Sequence, residues 1–275
     1  MTMPSQILGQ PTASSSSATV YTNYDIKNPP PHPGASWTRF ICISDTHSRK
    51  YEVPDGDVLL HSGDLSSWGY FHQLSKTMNW LKSLSHPVKV IIAGNHDLCL
   101  DDEWRVGGHW DHHKGGAIAN KDVDAAQAFM RSEELRDEGF HYLEFEPCTI
   151  TAPNGRSWEV YGSPAAPRYA YGSFQYTDNK AAQKIYDKIP STTEILLTHT
   201  PPYGTCDWSR KQRHSGCKVL ASRLENKNLS KCRLHVFGHI HEAYGAAIKD
   251  NHGGRVSVNA AIHDEDLPVI VDLLN

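Results

Sequence analysis

RFICISDTH, residues 39–47, runs apolar for four of its first six positions and then stops on a carboxylate and an imidazole two residues apart. A short run rich in β-branched and large apolar side chains reads as a strand buried on both faces. Five further runs share this composition, at residues 57–61, 88–93, 194–198, 233–237 and 255–259. Between them the spacing predicts helices over 71–84, 122–138, 178–188 and 218–226. Strands alternating with helices place the chain in the α/β class, with helices covering sheet faces. Residues 142–151 and 158–161 flank the turn signal Pro153-Asn154-Gly155 and read as an antiparallel hairpin; residues 268–274 read as a closing strand.

The chain has 275 residues, 27 basic and 31 acidic, enough for one large core or two small ones. One catalytic domain over 37–275 is expected, preceded by a disordered or extended tail over 1–36. That tail holds the serine run 14–17, Pro29, Pro30, Pro31 and Pro33, and too little apolar surface to offset the entropy of ordering it. No stretch approaches the roughly 20 apolar residues of a membrane span, and a secretory leader is not evident, so a cytoplasmic protein is expected. The six cysteines show no CxxC pairing and are read as reduced thiols, mostly packing residues, with a reactive pair as the alternative for Cys206 and Cys217. Trp37 and Trp158 read as core or edge fillers. A slightly acidic chain whose one basic patch is Arg210, Lys211, Arg213 and His214 is not expected to bind duplex nucleic acid.

In open α/β sheets chemistry collects beyond the carboxyl ends of strands. Five successive strands here end in donor side chains: Asp45 and His47; Asp64 after Gly63; Asn95, His96 and Asp97 after Gly94; His199; His239 and His241 after Gly238. Each cluster alone is weak. Asp-x-His recurs at Asp111/His113 and Asp250/His252, and Gly-Asp at Gly56/Asp57, but none of these follows a strand. The joint pattern carries the information. Side chains two apart on extended backbone point the same way, so Asp45 with His47, and His239 with His241, can converge. The glycines suit turns where backbone passes close to another group. Mixed carboxylate, imidazole and amide donors favour Mn, Fe or Zn over Ca, and their number exceeds one tetrahedral site, so two divalent ions are expected.

The five clusters, D-x-H, G-D, G-N-H-D, H and G-H-x-H in that order, resemble the calcineurin-like metallophosphoesterase superfamily. The strings DVLLHSGD, AGNHDLCLD, LTHTPPYG and HVFGHIHEAYG look most like eukaryotic metallophosphoesterase-domain-containing proteins and their class III cyclic-nucleotide phosphodiesterase relatives. The resemblance covers residue 38 to the carboxyl terminus. It implies a four-layer α/β/β/α sandwich of two mixed sheets flanked by helices. It also implies one metal on Asp45, His47 and His241, a second on Asn95, His199 and His239, Asp64 bridging both, and His96 as the acid near the leaving group. Mn is favoured among Mn, Fe, Zn and Mg. The partner that orients His96 is left open, since the adjacency of Asp97 in sequence does not ensure side-chain contact.

Two departures qualify the resemblance. The Ser/Thr protein phosphatase branch carries G-D-x-x-D-R-G, whereas Ser67 and Trp68 stand here where that Asp and Arg would be, so that activity is disfavoured. The loop over 104–116 adds His109, His112 and His113, read as solvated, with contact to substrate or a third ion as the alternative. Arg168, within the tyrosine-rich stretch 161–176, is a candidate phosphate contact and Asn95 a candidate substrate contact. The expected activity is two-metal hydrolysis of a small, nucleotide-like phosphoester, diester favoured over monoester. The alternatives are a metal-binding scaffold that turns over little, and non-phosphate chemistry on the same centre.

Overall fold

The computed structural model describes residues 8–108, 117–226, 229–249 and 254–275. The strands are β1 (Ala13–Ser14), β2 (Ala18–Tyr21), β3 (Trp37–Ile43), β4 (Val58–Ser62), β5 (Val88–Ile92), β6 (Phe140–Tyr142), β7 (Glu146–Thr151), β8 (Ser157–Ser163), β9 (Ala166–Pro167), β10 (Gln175–Tyr176), β11 (Ile195–Thr198), β12 (Trp208–Ser209), β13 (Arg213–His214), β14 (Leu234–Phe237), β15 (Gly245–Lys249), β16 (Arg255–Asn259) and β17 (Val269–Leu274). The helices are α1 (Phe71–Lys82), α2 (Asn120–Met130), α3 (Glu133–Asp137), α4 (Asn179–Tyr186) and α5 (Lys218–Glu225). Two large mixed sheets result, in the orders β1-β2-β17-β3-β4-β5-β6 and β15-β16-β14-β11-β8-β7.

Side-chain alternation along the strands separates the layers. Phe40, Cys42, Leu60, Val90 and Ile92 of the first sheet meet Val160, Leu197, Val236 and Val258 of the second in one core between the sheets. The intervening residues Ile41, Ile43, Leu59 and Ile91 turn outward to Leu74, Met78, Val123 and Ala126 of α1 and α2. On the far side Tyr161 and Leu196 pack with Ala182, Tyr186, Leu220 and Leu224 of α4 and α5. The arrangement is the expected four-layer sandwich. Trp158 is fully buried, donating through Nε1 to Thr38 Oγ1 at 3.3 Å with its ring 5.4 Å from Phe40. Strands β3, β4 and β5 are parallel, as are β8, β11, β14 and β16. The Ser44–Ala261 bridge joins the two groups where their carboxyl ends meet.

Three expectations change. The stretch expected as a disordered or extended tail is built into the fold from residue 8 onward: β2 pairs antiparallel with β17, burying Ala18 and Val20. Tyr24 donates to Pro268 O at 2.6 Å, and the buried Arg39 guanidinium donates to Pro30 O, Pro31 O and the Asp272 carboxylate. The helix expected over 122–138 is two, divided at Arg131, with Ser132 capping α3 by accepting from Leu135 N. The hairpin's first arm is also divided. Phe140–Tyr142 joins the first sheet beside β5, and the chain then crosses through Phe145, at φ 56°, so that only Glu146–Thr151 pairs with β8. The three histidines His109, His112 and His113 lie outside the described residues. Among the described residues no helix is long and apolar enough to cross a membrane.

Val20 is fully buried, so Val20→Asp places an unpaired carboxylate in the inter-sheet core. The unfolding free energy should fall by about 3 kcal/mol in urea titration; an unchanged midpoint would restore the picture of a detached tail. His86 is 1% exposed, and burial, then Lys89, push its imidazole down to about 4. Its folded value lies below the unfolded one near 6.5, so stability is complete above that pH and is lost as pH falls toward 4, by on the order of 3 kcal/mol. His86→Leu should flatten the acid limb of a stability-versus-pH curve over that window.

Candidate metal centre

The donor-bearing segments follow the ends of β3, β4, β5, β11 and β14 and are locked to one another by backbone bonds. Asp45 N donates to Gly63 O at 2.9 Å, His47 N to Asp64 O at 3.0 Å and Gly238 N to His199 O at 3.0 Å. Asp45, His47, Asp64 and His239 all hold left-handed φ values between 45° and 69°, a region non-glycine residues enter only where surrounding structure holds them there. Glycines make the close approaches. A Cβ on Gly238 would sit 2.0 Å from Asp45 Oδ2, and one on Gly94 2.3 Å from Asp64 Oδ1.

Among the described residues, three sets of donor atoms each lie within 4.8 Å of one another: Asp45, His47 and His241; Asp45, Asp64 and His199; His47, Asp64 and His96. The first set brings together Asp45, His47 and His241, and Asp64 lies beside His199. His241 Nε2 is 3.1 Å from Asp45 Oδ1, and His199 Nε2 is 3.4 Å from Asp64 Oδ1 and 2.9 Å from Asn95 Oδ1. His239 falls outside those sets, yet its ring centroid is 4.9 Å from that of His199 and its N–H donates to the Asp45 carboxylate. Arg168 is exposed; its segment reaches the centre through Ser173, whose N–H donates to Asn95 O and whose hydroxyl donates to Gly94 O at 3.0 Å.

Asp45 and Asp64 are 1% and 2% exposed. Burial would raise both carboxyls, but the His241 hydrogen bond carries Asp45 down to about 2, and His199, with His96 and His47, carries Asp64 well below its ordinary range. Burial opposes charge on His199, yet Asp64 raises that imidazole to about 9, while His239 is pushed by burial down to about 4. Protons on imidazoles can compensate such a site only in part, since His239 is held neutral while His199 is favoured in its charged form. Divalent cations fit the donor sets, because they take the place of those protons and accept carboxylate and imidazole donors together. The imidazole tautomer also fits: His199 Nδ1 lies 2.9 Å from Ser62 O, leaving Nε2 for the centre.

Several contributors have roles that the sequence reading did not assign. Asp97 does not touch the His96 side chain. Its buried carboxylate accepts from Leu65 N, Ser66 N, Ser66 Oγ and Gly94 N at 2.8–3.1 Å, clamping the Asp64 turn to the Asn95 turn. Burial, then Asp64, raise it to about 6. Asn259, at the end of β16, donates to Cys206 O and Ile240 O and so ties the β12–β13 hairpin to the His239–His241 turn. It was findable, being a sixth polar side chain at a strand end. His61 and His235, 3.0 Å and 2.7 Å from Thr46 and Thr198 hydroxyls, stand behind the donors on the strands themselves.

Comparisons with known proteins place the chain in a family. A family model described as calcineurin-like phosphoesterase matches residues 38–243. Metallophosphoesterase domain-containing protein 1 of Homo sapiens and of Mus musculus are each 32% identical over 269 residues, covering 90% of this chain and 75% of theirs. The probable rhamnogalacturonate lyase C of Emericella nidulans is 35% identical over 210 residues, 76% of this chain but 18% of that protein.

Asp97→Asn keeps the shape but sets an amide N–H₂ against two hydrogen-bond donors. Stability to urea should fall by about 2–3 kcal/mol, with weaker metal retention in equilibrium dialysis. Unchanged stability would mean that the clamp does not hold the two turns.

Proposed function

Since the chain belongs to the calcineurin-like phosphoesterase family, and is thereby a metal-dependent phosphoesterase, we propose that it hydrolyses a small nucleotide-like phosphoester, diesters before monoesters, with two divalent ions. The observation that carries this reading is the convergence of the buried Asp45, Asp64 and His199 with the partly buried His47 and His241 in mutually linked donor sets. Asp45, His47 and His241 would hold one ion and Asn95, His199 and His239 the other, with Asp64 a donor available to both. Bound there, the ions supply Lewis acidity that activates water and neutralises phosphoryl charge, a role for which Mn is favoured.

The chain's own residues do the rest. Asn95, half-buried and anchored through Ser173, presents its amide to a phosphoryl oxygen. His96, whose N–H donates to Asp64 Oδ1 at 2.8 Å, is positioned to protonate the departing oxygen. Arg168 contributes a guanidinium at the rim. The absence of the Asp-Arg pair, replaced by Ser67 and Trp68, argues against protein phosphatase chemistry. A second reading has its own observation: His96 shares a donor set with His47 and Asp64, as a metal ligand would.

Metal analysis of the purified protein, together with turnover of bis-p-nitrophenyl phosphate and p-nitrophenyl phosphate with added Mn, Mg, Zn or Ni, tests the proposal. About two ions per chain and faster diester cleavage are expected. Asp64→Asn and His241→Ala should each lower kcat/KM roughly 100-fold or more, the scale on which even outer contacts of a metal site act. His96→Ala should lose turnover while keeping its metal; loss of an ion in that variant would make His96 a ligand instead. An enzyme unharmed by both ligand changes would sink the proposal, and bound metal without turnover would favour a scaffold.

A further inference from the structure

We infer that Ser67 is a positioning residue for His96, filling with its backbone carbonyl the place of an acidic partner. This rests on the reading of His96 as the acid. His96 Nδ1 lies 2.7 Å from Ser67 O. A carbonyl only accepts, so Nδ1 carries the hydrogen in both charge states of the ring, and Nε2 is left to give a proton to substrate. The side chains on either side of Ser67 offer no carboxylate: Ser66 is bonded to Asp97, and Trp68 N donates to Gln73.

The carbonyl is held from two directions. Ser67 Oγ donates to His47 O at 2.5 Å, and Ser67 N donates to Ser48 Oγ at 3.3 Å. The hydroxyl therefore ties the peptide that orients His96 to the segment bearing Asp45 and His47. The His47 and His96 rings stand edge to face, with centroids 4.7 Å apart. One serine thus fixes the acid relative to the donors that surround the reacting phosphorus.

In the step this serves, a water molecule gives one of its protons to solvent and its oxygen bonds to phosphorus as the phosphorus–oxygen bond to the departing group breaks. The electron pair of that bond goes to the departing oxygen, which takes the proton from His96 Nε2 and leaves as an alcohol. The imidazole remains neutral with its Nδ1 hydrogen still on Ser67 O, and regains its proton from solvent. A misdirected Nε2 costs rate only where the leaving group needs that proton.

The test compares Ser67→Ala on the ethyl and p-nitrophenyl esters of phenylphosphonate, in metal-loaded full-length protein. The expected result is a fall of about tenfold or more in kcat/KM for the ethyl ester, less than about threefold for the aryl ester, an unchanged metal content and recovery in Ser67→Thr. In a His96→Ala background Ser67→Ala should add nothing. Equal losses on both esters, a larger loss on the aryl ester, or no loss on either would overturn the assignment. A wild-type protein that cleaves neither ester would count against the phosphoesterase reading itself. The positioning role is then decided by nitrogen NMR of the His96 ring: Nδ1 protonated in wild type and a tautomer mixture in Ser67→Ala support it, and identical spectra overturn it.

Discussion

Buried negative charge at the meeting point of two sheets is the constraint on which the rest depends. Asp45, Asp64 and Asp97 are each at most 2% exposed, yet they occupy adjacent turns. Isolated carboxylates there would cost far more than a domain's net stability. Three kinds of compensation are present, and each shapes a different part of the molecule. Backbone N–H groups satisfy Asp97, imidazoles surround Asp45 and Asp64, and the donor atoms left over converge where a cation meets them. The first is structural, the second depends on protons, and the third is what makes the centre chemical.

Convergence has a conformational cost of order 1–3 kcal/mol for each non-glycine residue held at positive φ. Four donor-bearing positions adopt it: Asp45, His47, Asp64 and His239. The sandwich sustains this because every strand leading into a turn is buried on both faces, from Phe40 to Ile43 through Val236 and Phe237. A rigid support lets the turns stay strained without fraying. The packing of Gly94 and Gly238 against the Asp64 and Asp45 carboxylates shows the same economy: side chain was removed where backbone had to pass, and kept where an oxygen or nitrogen was needed.

The parts legible in the sequence are those where a local signal and the tertiary role coincide. The runs ending at Asp45, Asp64, Asn95, His199 and His239 are buried on both faces, so apolar continuity marks them, and the donors follow directly. The misread parts obey long-range partners. Ala18 and Val20 are two apolar residues among serines and threonines, and only the exposed edge of β17 makes a strand of them. Residues 140–151 form one β-rich run, yet they serve two sheets because Phe145 turns the chain between them. The division of 122–138 has a local mark in Ser132, followed by two glutamates, that helical spacing alone passes over. Asp97 and Ser67 act through contacts to turns 30 residues away and to a carbonyl, neither of which a residue-type motif encodes.

A neutral partner for His96 suits the surrounding electrostatics. Burial and Asp64 already raise Asp97 to about 6, so another carboxylate in the same pocket would add repulsion to every acidic group there. A peptide carbonyl offers direction without net charge. It selects the hydrogen-bearing nitrogen through a dipole and leaves the charge of the centre to Asp45 and Asp64, which sit where a cation can answer it. Replacing an acidic side chain by Ser67 therefore changes more than one contact: it separates the task of aiming the imidazole from the task of stabilising its charge. That separation fits a site whose positive charge is to come from bound metal, and it makes the aim of His96 depend on the Ser67 hydroxyl bonded to His47 O and on the Ser67 N–H bonded to Ser48 Oγ.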